Sequence, residues 1–266
     1  MSGGTSAEHS VPDGLATEHQ AAAEFAHRAG EVLLELRTRS SPGKALGQAG
    51  DRLSHDLLIQ AIADLFPADR VRSEEEAPGA EAPEPGGGRL WIVDPLDGTR
   101  EYSEGRDDWA VHVALTFDGE PSVGAVALPA LDVVIDTARP VPLTSPAAVP
   151  RILVSRTRPP QFMAALVERL GATTVPMGSA GAKIAAVIRG QGEIYVHAGG
   201  QYEWDSAAPV AVALASGLHA SRIDGSPLRY GRPNPWLPDI LVCHRSLAEP
   251  TLAALDGLIV TEGDAS

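Results

Sequence analysis

Leu90-Trp91-Ile92-Val93-Asp94-Pro95-Leu96-Asp97-Gly98-Thr99 runs from an unbroken apolar stretch into two carboxylates and a glycine. Leu90 to Val93 predicts a buried strand whose end delivers Asp94 and Asp97 into a turn. Pro95 fixes the backbone, and Gly98 lets main-chain amides face an anion with no side chain intervening. Hard oxygen ligands beside open amides suit a divalent cation and a phosphate together. Asp-Gly after a strand is also ordinary turn chemistry, so the remainder of the chain has to decide between the two readings.

The 266 residues suffice for one large domain or two half-sized ones sharing a core. With 44% hydrophobic and 21% charged residues, the composition is that of a water-soluble globular chain. Acidic residues outnumber basic ones 35 to 21, a formal charge of −14 that opposes nucleic acid and anionic membrane as partners. A polyanionic substrate would need metal ions or a local Lys/Arg cluster to draw it in. No apolar run is long enough to span a bilayer, and the Ala-rich opening lacks the charged start and apolar middle of a signal peptide. The one cysteine, Cys243, excludes an internal disulfide and fits a reducing compartment, by default the cytoplasm. It lies in Ile240-Leu241-Val242-Cys243 and reads as a buried structural thiol, not a nucleophile.

Outward from the motif, residues 1–14 read as a disordered polar tail. Thr17 with Gln20 resembles a capping box. Ala22, Phe25, Ala26, Ala29, Val32, Leu33 and Leu36 then recur at helical spacing. A second helix is expected from about Arg52 to Phe66, with Asp51 placed as its N-cap. A short strand around Val71 leads to Glu74-Glu75-Glu76, followed by a mobile Pro/Gly/Ala/Glu loop from Ala77 to Gly88. Beyond the motif, alternation at Val111, Val113 and Leu115, the Asp118-Gly119 turn, and the runs Val123–Leu128 and Val133–Ile135 predict an antiparallel meander. Four prolines between Thr137 and Pro150 mark a boundary. It separates an N-terminal α+β half (15–140) carrying most of the acids from a C-terminal α/β half (141–266). In the latter, strands are expected at Ile152–Val154, Ile194–Val196 and Leu241–Cys243. Helices are expected at Gln161–Leu170, Ala182–Ile188, Asp205–Ala215 and from near Pro250.

Mg²⁺ prefers octahedral oxygen coordination and keeps some waters, so a site for two or three ions draws carboxylates from several elements. Asp51, Glu74, Asp94, Asp97 and Asp205 all stand at the edges of expected elements, as a shared crevice would require. Taken singly, each is also explained as a cap or a solvated charge.

Three blocks together are more specific: Ser73-Glu74-Glu75, then Trp91 to Thr99, then Glu203-Trp204-Asp205-Ser206-Ala207-Ala208. Their order and spacing resemble the inositol monophosphatase superfamily over almost the whole chain. Ser73-Glu74-Glu75-Glu76 is closer to its 3′-phosphoadenosine 5′-phosphate phosphatase (bisphosphate nucleotidase) branch than to the Gly-Glu-Glu-Ser form of inositol monophosphatases. Ser179-Ala180-Gly181-Ala182-Lys183 and Val154-Ser155-Arg156-Thr157 resemble the segments beside the nucleotide in that branch. One stretch departs from the pattern. Relatives carry Pro-Val-Thr after a lysine-bearing loop and just before the first aspartate, whereas here Lys44-Ala45-Leu46-Gly47-Gln48-Ala49-Gly50 precedes Asp51.

The resemblance implies an α-β-α-β-α layered sandwich with the site between its halves. It also implies a phosphomonoesterase in sulfate assimilation that clears the by-product nucleotide to AMP and phosphate. By resemblance, Glu74, Asp94, Asp97, Asp205 and the carbonyl of Leu96 hold two or three Mg²⁺ ions, with Mn²⁺ a possible substitute and Li⁺ an inhibitor. Asp94 bridges two ions, and Glu75 has a supporting place. A water activated by the cation is the nucleophile, oriented by Thr99 hydrogen-bonded to Asp51. The amides of Gly98 and Thr99 cradle the phosphate. Ser155, Lys183 and Asp205 contact the rest of the substrate. Homodimerisation is usual among relatives. His112 and His197 lie in strand-like runs and read as packing residues, while Asp107 and Asp108 read as loop charges.

Inositol monophosphatase or fructose 1,6-bisphosphatase activity would use the same metal site. A nucleotide-sensing protein without catalysis is the non-enzymatic alternative, and retention of every matched metal ligand argues against it. A haloacid-dehalogenase-type phosphatase places one residue between its two aspartates. Here Pro95 and Leu96 make two, which would misplace the second acid, so that chemistry is rejected.

Overall fold

Two helices open the described part of the chain because their apolar residues recur every three to four positions. The computed structural model describes residues 14–76 and 88–258. The expected tail, Gly14 apart, and the expected loop, Gly88 apart, lie outside the described residues. Helix α1 spans Ala16–Arg39 and buries Ala22, Phe25, Ala26, Ala29 and Leu33. The expected capping box is not formed: Leu15 precedes the helix with no side-chain cap, and Thr17 already lies inside the first turn. Helix α2 spans Lys44–Leu65, so Asp51 sits within it instead of at its N-cap. The stretch read as a lysine-bearing loop is therefore helical, and it starts directly after Gly43, whose amide donates to the carbonyl of Ser103 at 3.0 Å.

The first sheet is five-stranded in the order β1 (Arg70–Ser73), β2 (Arg89–Asp97), β3 (Ala110–Phe117), β4 (Glu120–Leu128), β5 (Val133–Asp136). β1 runs parallel to β2, and the remainder form the antiparallel meander. Side chains alternate across a strand, and both faces here are covered, which explains the continuous apolar runs. Trp91 and Val93 pack towards α1 and α2, whereas Leu90 and Ile92 point the other way. A short helix, α3 (Thr99–Ser103), follows β2.

After the irregular stretch from 137 to 150 comes a second five-stranded sheet. It contains β6 (Arg151–Ser155), β7 (Thr173–Met177), β8 (Ile194–Tyr202), β9 (His219–Ser221) and β10 (Trp236–Cys243) in the order β7-β6-β8-β10-β9. Helices α4 (Met163–Leu170), α5 (Ala180–Ile188), α6 (Ala207–Ala215) and α7 (Ala248–Leu255) belong to this half.

Three apolar clusters define the layers. One joins α1 and α2 to the outer face of the first sheet. A second places α5 and α6 between the sheets, where the Ala/Val-rich helices are buried on nearly all sides. The third packs α4 and α7 on the far face of the second sheet, with Cys243 fully buried there and its thiol pushed up to about 12 by burial. The result is the expected α-β-α-β-α sandwich.

Candidate active site

Asp94 and Asp97 are three residues apart, so in a regular strand they would point to opposite faces. The ladder slips between them: Asp94 lies opposite His112 and Asp97 opposite Ala110, leaving Pro95 and Leu96 as a bulge. That extra residue turns both carboxylates towards the inter-sheet layer. The bulge is pinned from both sides. The Leu96 amide donates to Asp94 Oδ1 at 3.1 Å, and Ser54 of α2 donates to the carbonyl of Pro95 at 2.7 Å. Gly98 then adopts φ 89°, a left-handed turn that starts α3, and a Cβ there would lie 2.9 Å from Cβ of Ser179.

Asp205 arrives from the second sheet, in the short 3₁₀ turn after β8, with Oδ2 accepting the Tyr202 amide at 2.6 Å. Carboxylate oxygens of Asp94, Asp97 and Asp205 all lie within 4.8 Å of one another. Glu74, the residue after β1, lies close enough to Asp94 and Asp205 to feel both charges, although it is exposed and falls outside that trio. Behind these acids, Arg72 of β1 and Glu203 pair at 2.5 Å, respectively 4% and 0% exposed, and tie one sheet to the other. Glu203 also accepts the Arg232 amide at 3.0 Å.

Thr99 donates from Oγ1 to Asp51 Oδ1 at 3.1 Å and lies 3.2 Å from the carbonyl of Leu96. α2 thus supplies a half-buried carboxylate beside the motif. Asp97 is held from the other side by the start of α5, whose Gly181 and Ala180 amides donate to Oδ2 at 2.5 Å and Oδ1 at 3.3 Å. Lys183, buried in α5, donates to the carbonyls of Gly178 and of Ser179, the latter at 2.6 Å. Ser155, Lys183, Gly98, Thr99 and Asp205 line one cleft of about 740 Å³. A larger groove of about 860 Å³ lies along α1 and β5 and holds none of these acids.

Two readings of the sequence change here. His112 is not simply a packing residue, since its ring touches Asp97 and the chain leading into Asp205. Its position opposite Asp94 in the ladder was the available signal, and only the register reveals it. Asp108 is more than a loop charge: Oδ2 accepts the Gly178 amide at 2.6 Å, while Arg106 grips it with two donors, fixing the loop before α5. Asp107 remains a surface charge, 3.8 Å from Arg37.

The acids repel one another in a place poor in water. Glu74 is pushed up to about 8, by burial first and Asp205 next. Asp205 is pushed up to about 7 by burial and Asp97, and Asp51 to about 6 by burial against the opposing bond from Thr99. Asp94 lies well above the usual carboxylate range through burial and its acidic neighbours. Such a cluster fits hard divalent cations, which would supply the charge that the side chains lack.

The sign of the pH effect follows. An acid whose folded value is raised favours the fold while protonated, and that stability is lost as pH climbs from the ordinary carboxylate range through the raised value. Metal-free protein should therefore lose thermal stability between about pH 4 and pH 8, and the gain on adding divalent cation should widen over the same interval. Melting curves in chelator and in excess divalent cation at several pH values check this. A gap that does not change with pH counts against the cluster as a cation site.

The inositol monophosphatase family model matches residues 15–259. The chain is 47% identical over 239 residues to the 3′-phosphoadenosine 5′-phosphate phosphatase of Mycobacterium tuberculosis, covering 85% of this chain and 89% of that protein. It is 45% identical over 257 residues to the enzyme of the same name from Mycobacterium leprae, covering 90% and 93%. The crystal structure of CysQ from Bacteroides thetaiotaomicron, a bacterial member of the inositol monophosphatase family, superposes with a TM-score of 0.75 at 24% identity, covering 86% of this chain and 97% of that one. No helix among the described residues is long and apolar enough to cross a membrane. A family model spanning both sheets, on a chain whose bulged strand and opposing turn bring their acids together, makes this protein a member of the inositol monophosphatase family.

Proposed function

We propose that this chain is a Mg²⁺-dependent phosphomonoesterase that removes the 3′-phosphate of 3′-phosphoadenosine 5′-phosphate, leaving AMP and phosphate. The observation that carries the reading is the identity of 47% to a mycobacterial protein bearing that activity's name, in a chain that retains the clustered acids beside an ample cleft. Glu74, Asp94, Asp97, Asp205 and the carbonyl of Leu96 would hold the Mg²⁺ ions. When bound, Mg²⁺ lowers the pKa of water and neutralises the phosphoryl oxygens.

The chain's own residues do the rest. Thr99 takes a hydrogen bond from the attacking water and passes its own proton towards Asp51, which its raised pKa equips as an acceptor near neutrality. The amides of Gly98 and Thr99, at the start of α3, cradle the phosphate. Ser155, Lys183 and Asp205 contact the nucleoside side of the cleft. With no thiol near the motif and Cys243 sealed in the far layer, direct attack by water in line with the leaving 3′ oxygen needs no covalent phosphoenzyme.

The reading includes a cytoplasmic enzyme of sulfate assimilation, organised as the halves 15–140 and 141–266, with the homodimer usual among relatives as the assembly to test. A substrate panel with Mg²⁺ tests it. The expected kcat/KM for 3′-phosphoadenosine 5′-phosphate exceeds those for inositol 1-phosphate and fructose 1,6-bisphosphate by at least about 10-fold, because polar groups left unpaired by the wrong substrate are costly. Equal or better turnover of inositol 1-phosphate overturns the assignment, as does a lack of phosphate release from any of them.

A further inference from the structure

We propose that His112 is a positioning residue that sets the spacing of the metal acids by tying the Asp205 turn to the Asp94–Asp97 bulge. This rests on the metal-binding part of the function proposed above. His112 sits in β3 directly across from Asp94, so the two side chains share a face. The ring is completely buried. Nδ1 lies 3.0 Å from the carbonyl of Trp204, the residue before Asp205, and 3.9 Å from Asp94 Oδ2. On the opposite edge, Nε2 lies 3.3 Å from Asp97 Oδ2 and has no hydrogen-bond partner of good geometry.

A carbonyl only accepts, so Nδ1 carries the proton and donates to Trp204. That bond crosses the inter-sheet layer. It reaches from the central region of the first sheet to the turn that ends β8 of the second, at the level of the three clustered carboxylates. Asp97 cannot yield to pressure from the ring, because the Gly181 and Ala180 amides hold both its oxygens. The imidazole is thus a spacer of fixed length between Asp97 and the Trp204–Asp205 peptide. Outer partners of this kind orient ligands, and their loss weakens metal binding.

The test compares H112N with H112L in the full chain. Asparagine keeps a donor close to the place of Nδ1, and leucine keeps comparable volume without a donor. Mg²⁺ dissociation constants come from the metal-dependent shift in melting temperature and from calorimetry, with the metal-free melting temperature recorded separately. H112L is expected to bind Mg²⁺ about 10- to 100-fold more weakly than the wild type, and H112N to recover most of the loss. Wild-type Mg²⁺ affinity in H112L, whatever its metal-free stability, reduces His112 to a packing residue and overturns the proposal. So does equal weakening in both variants. Should H112L fail to fold, H112A takes its place with the same expected loss. If the wild type itself shows no Mg²⁺ response, the metal reading falls first and this proposal with it.

Discussion

Replacing Asp94 by asparagine is expected to lower kcat by at least about 100-fold, equivalent to about 2.7 kcal/mol of transition-state stabilisation. The substitution is nearly isosteric, and the asparagine oxygen can still accept the Leu96 amide that pins the bulge. What disappears is one negative charge at the centre of the cluster, completely buried and facing Glu74, Asp97 and Asp205. In metal-free protein that charge is a burden, so D94N should melt at the same temperature as the wild type or higher. In excess Mg²⁺ the order should reverse, because the variant has lost cation affinity. Activity and stability thus move in opposite directions, which separates loss of chemistry from loss of fold. Near-normal turnover by D94N would end the assignment of Asp94.

Gly181→Ala is expected to cost about 100-fold in kcat as well, through geometry in place of charge. A Cβ at Gly181 would stand 1.8 Å from His112 Nε2 and 2.8 Å from Asp97 Oδ2. Neither neighbour has room to retreat: the ring is held by Trp204, and the carboxylate is held by the amide of Gly181 itself. The start of α5 must therefore move outward and let go of Asp97. Overpacking of this kind typically costs about 1–3 kcal/mol, a fall of several degrees in melting temperature for a chain of this size. Adding H112N removes part of the ring, so the double variant should regain activity over G181A alone. A G181A protein with wild-type kcat would mean that α5 does not hold Asp97 in the working enzyme.

The sequence made the layers readable because apolar periodicity is strong where both faces of an element are covered. Leu90–Val93, the 111–115 alternation and the helical spacing from Ala22 to Leu36 each became the expected element. Edge elements were less visible. β7 carries Pro176 and is largely exposed, and β9 is only three residues long, so neither presents a run of alternating apolar positions. α2 begins earlier than expected because, from Lys44 to Gly50, only Leu46 stands out as apolar among polar and small residues, too little to mark its first turns, and Asp51 looked like a cap for that reason. Within the site, residue types and their order marked the acids individually. Their convergence depends on a strand bulge and on contacts between sheets, which local patterning does not encode. His112, Asp108 and Gly181 were opaque for the same reason: each acts on a partner distant in the chain.

The Arg72–Glu203 pair has a consequence for traffic. Removing one partner of a buried, hydrogen-bonded ion pair typically costs about 3–5 kcal/mol, because the other charge is left uncompensated, so the two sheets are held together at this joint. Glu74 and Asp205 each lie two residues beyond it, so the pair fixes the strand end and the turn that carry those acids. Traffic is then left to the solvent-exposed rim of the cleft, where Arg158 and Tyr202 stand.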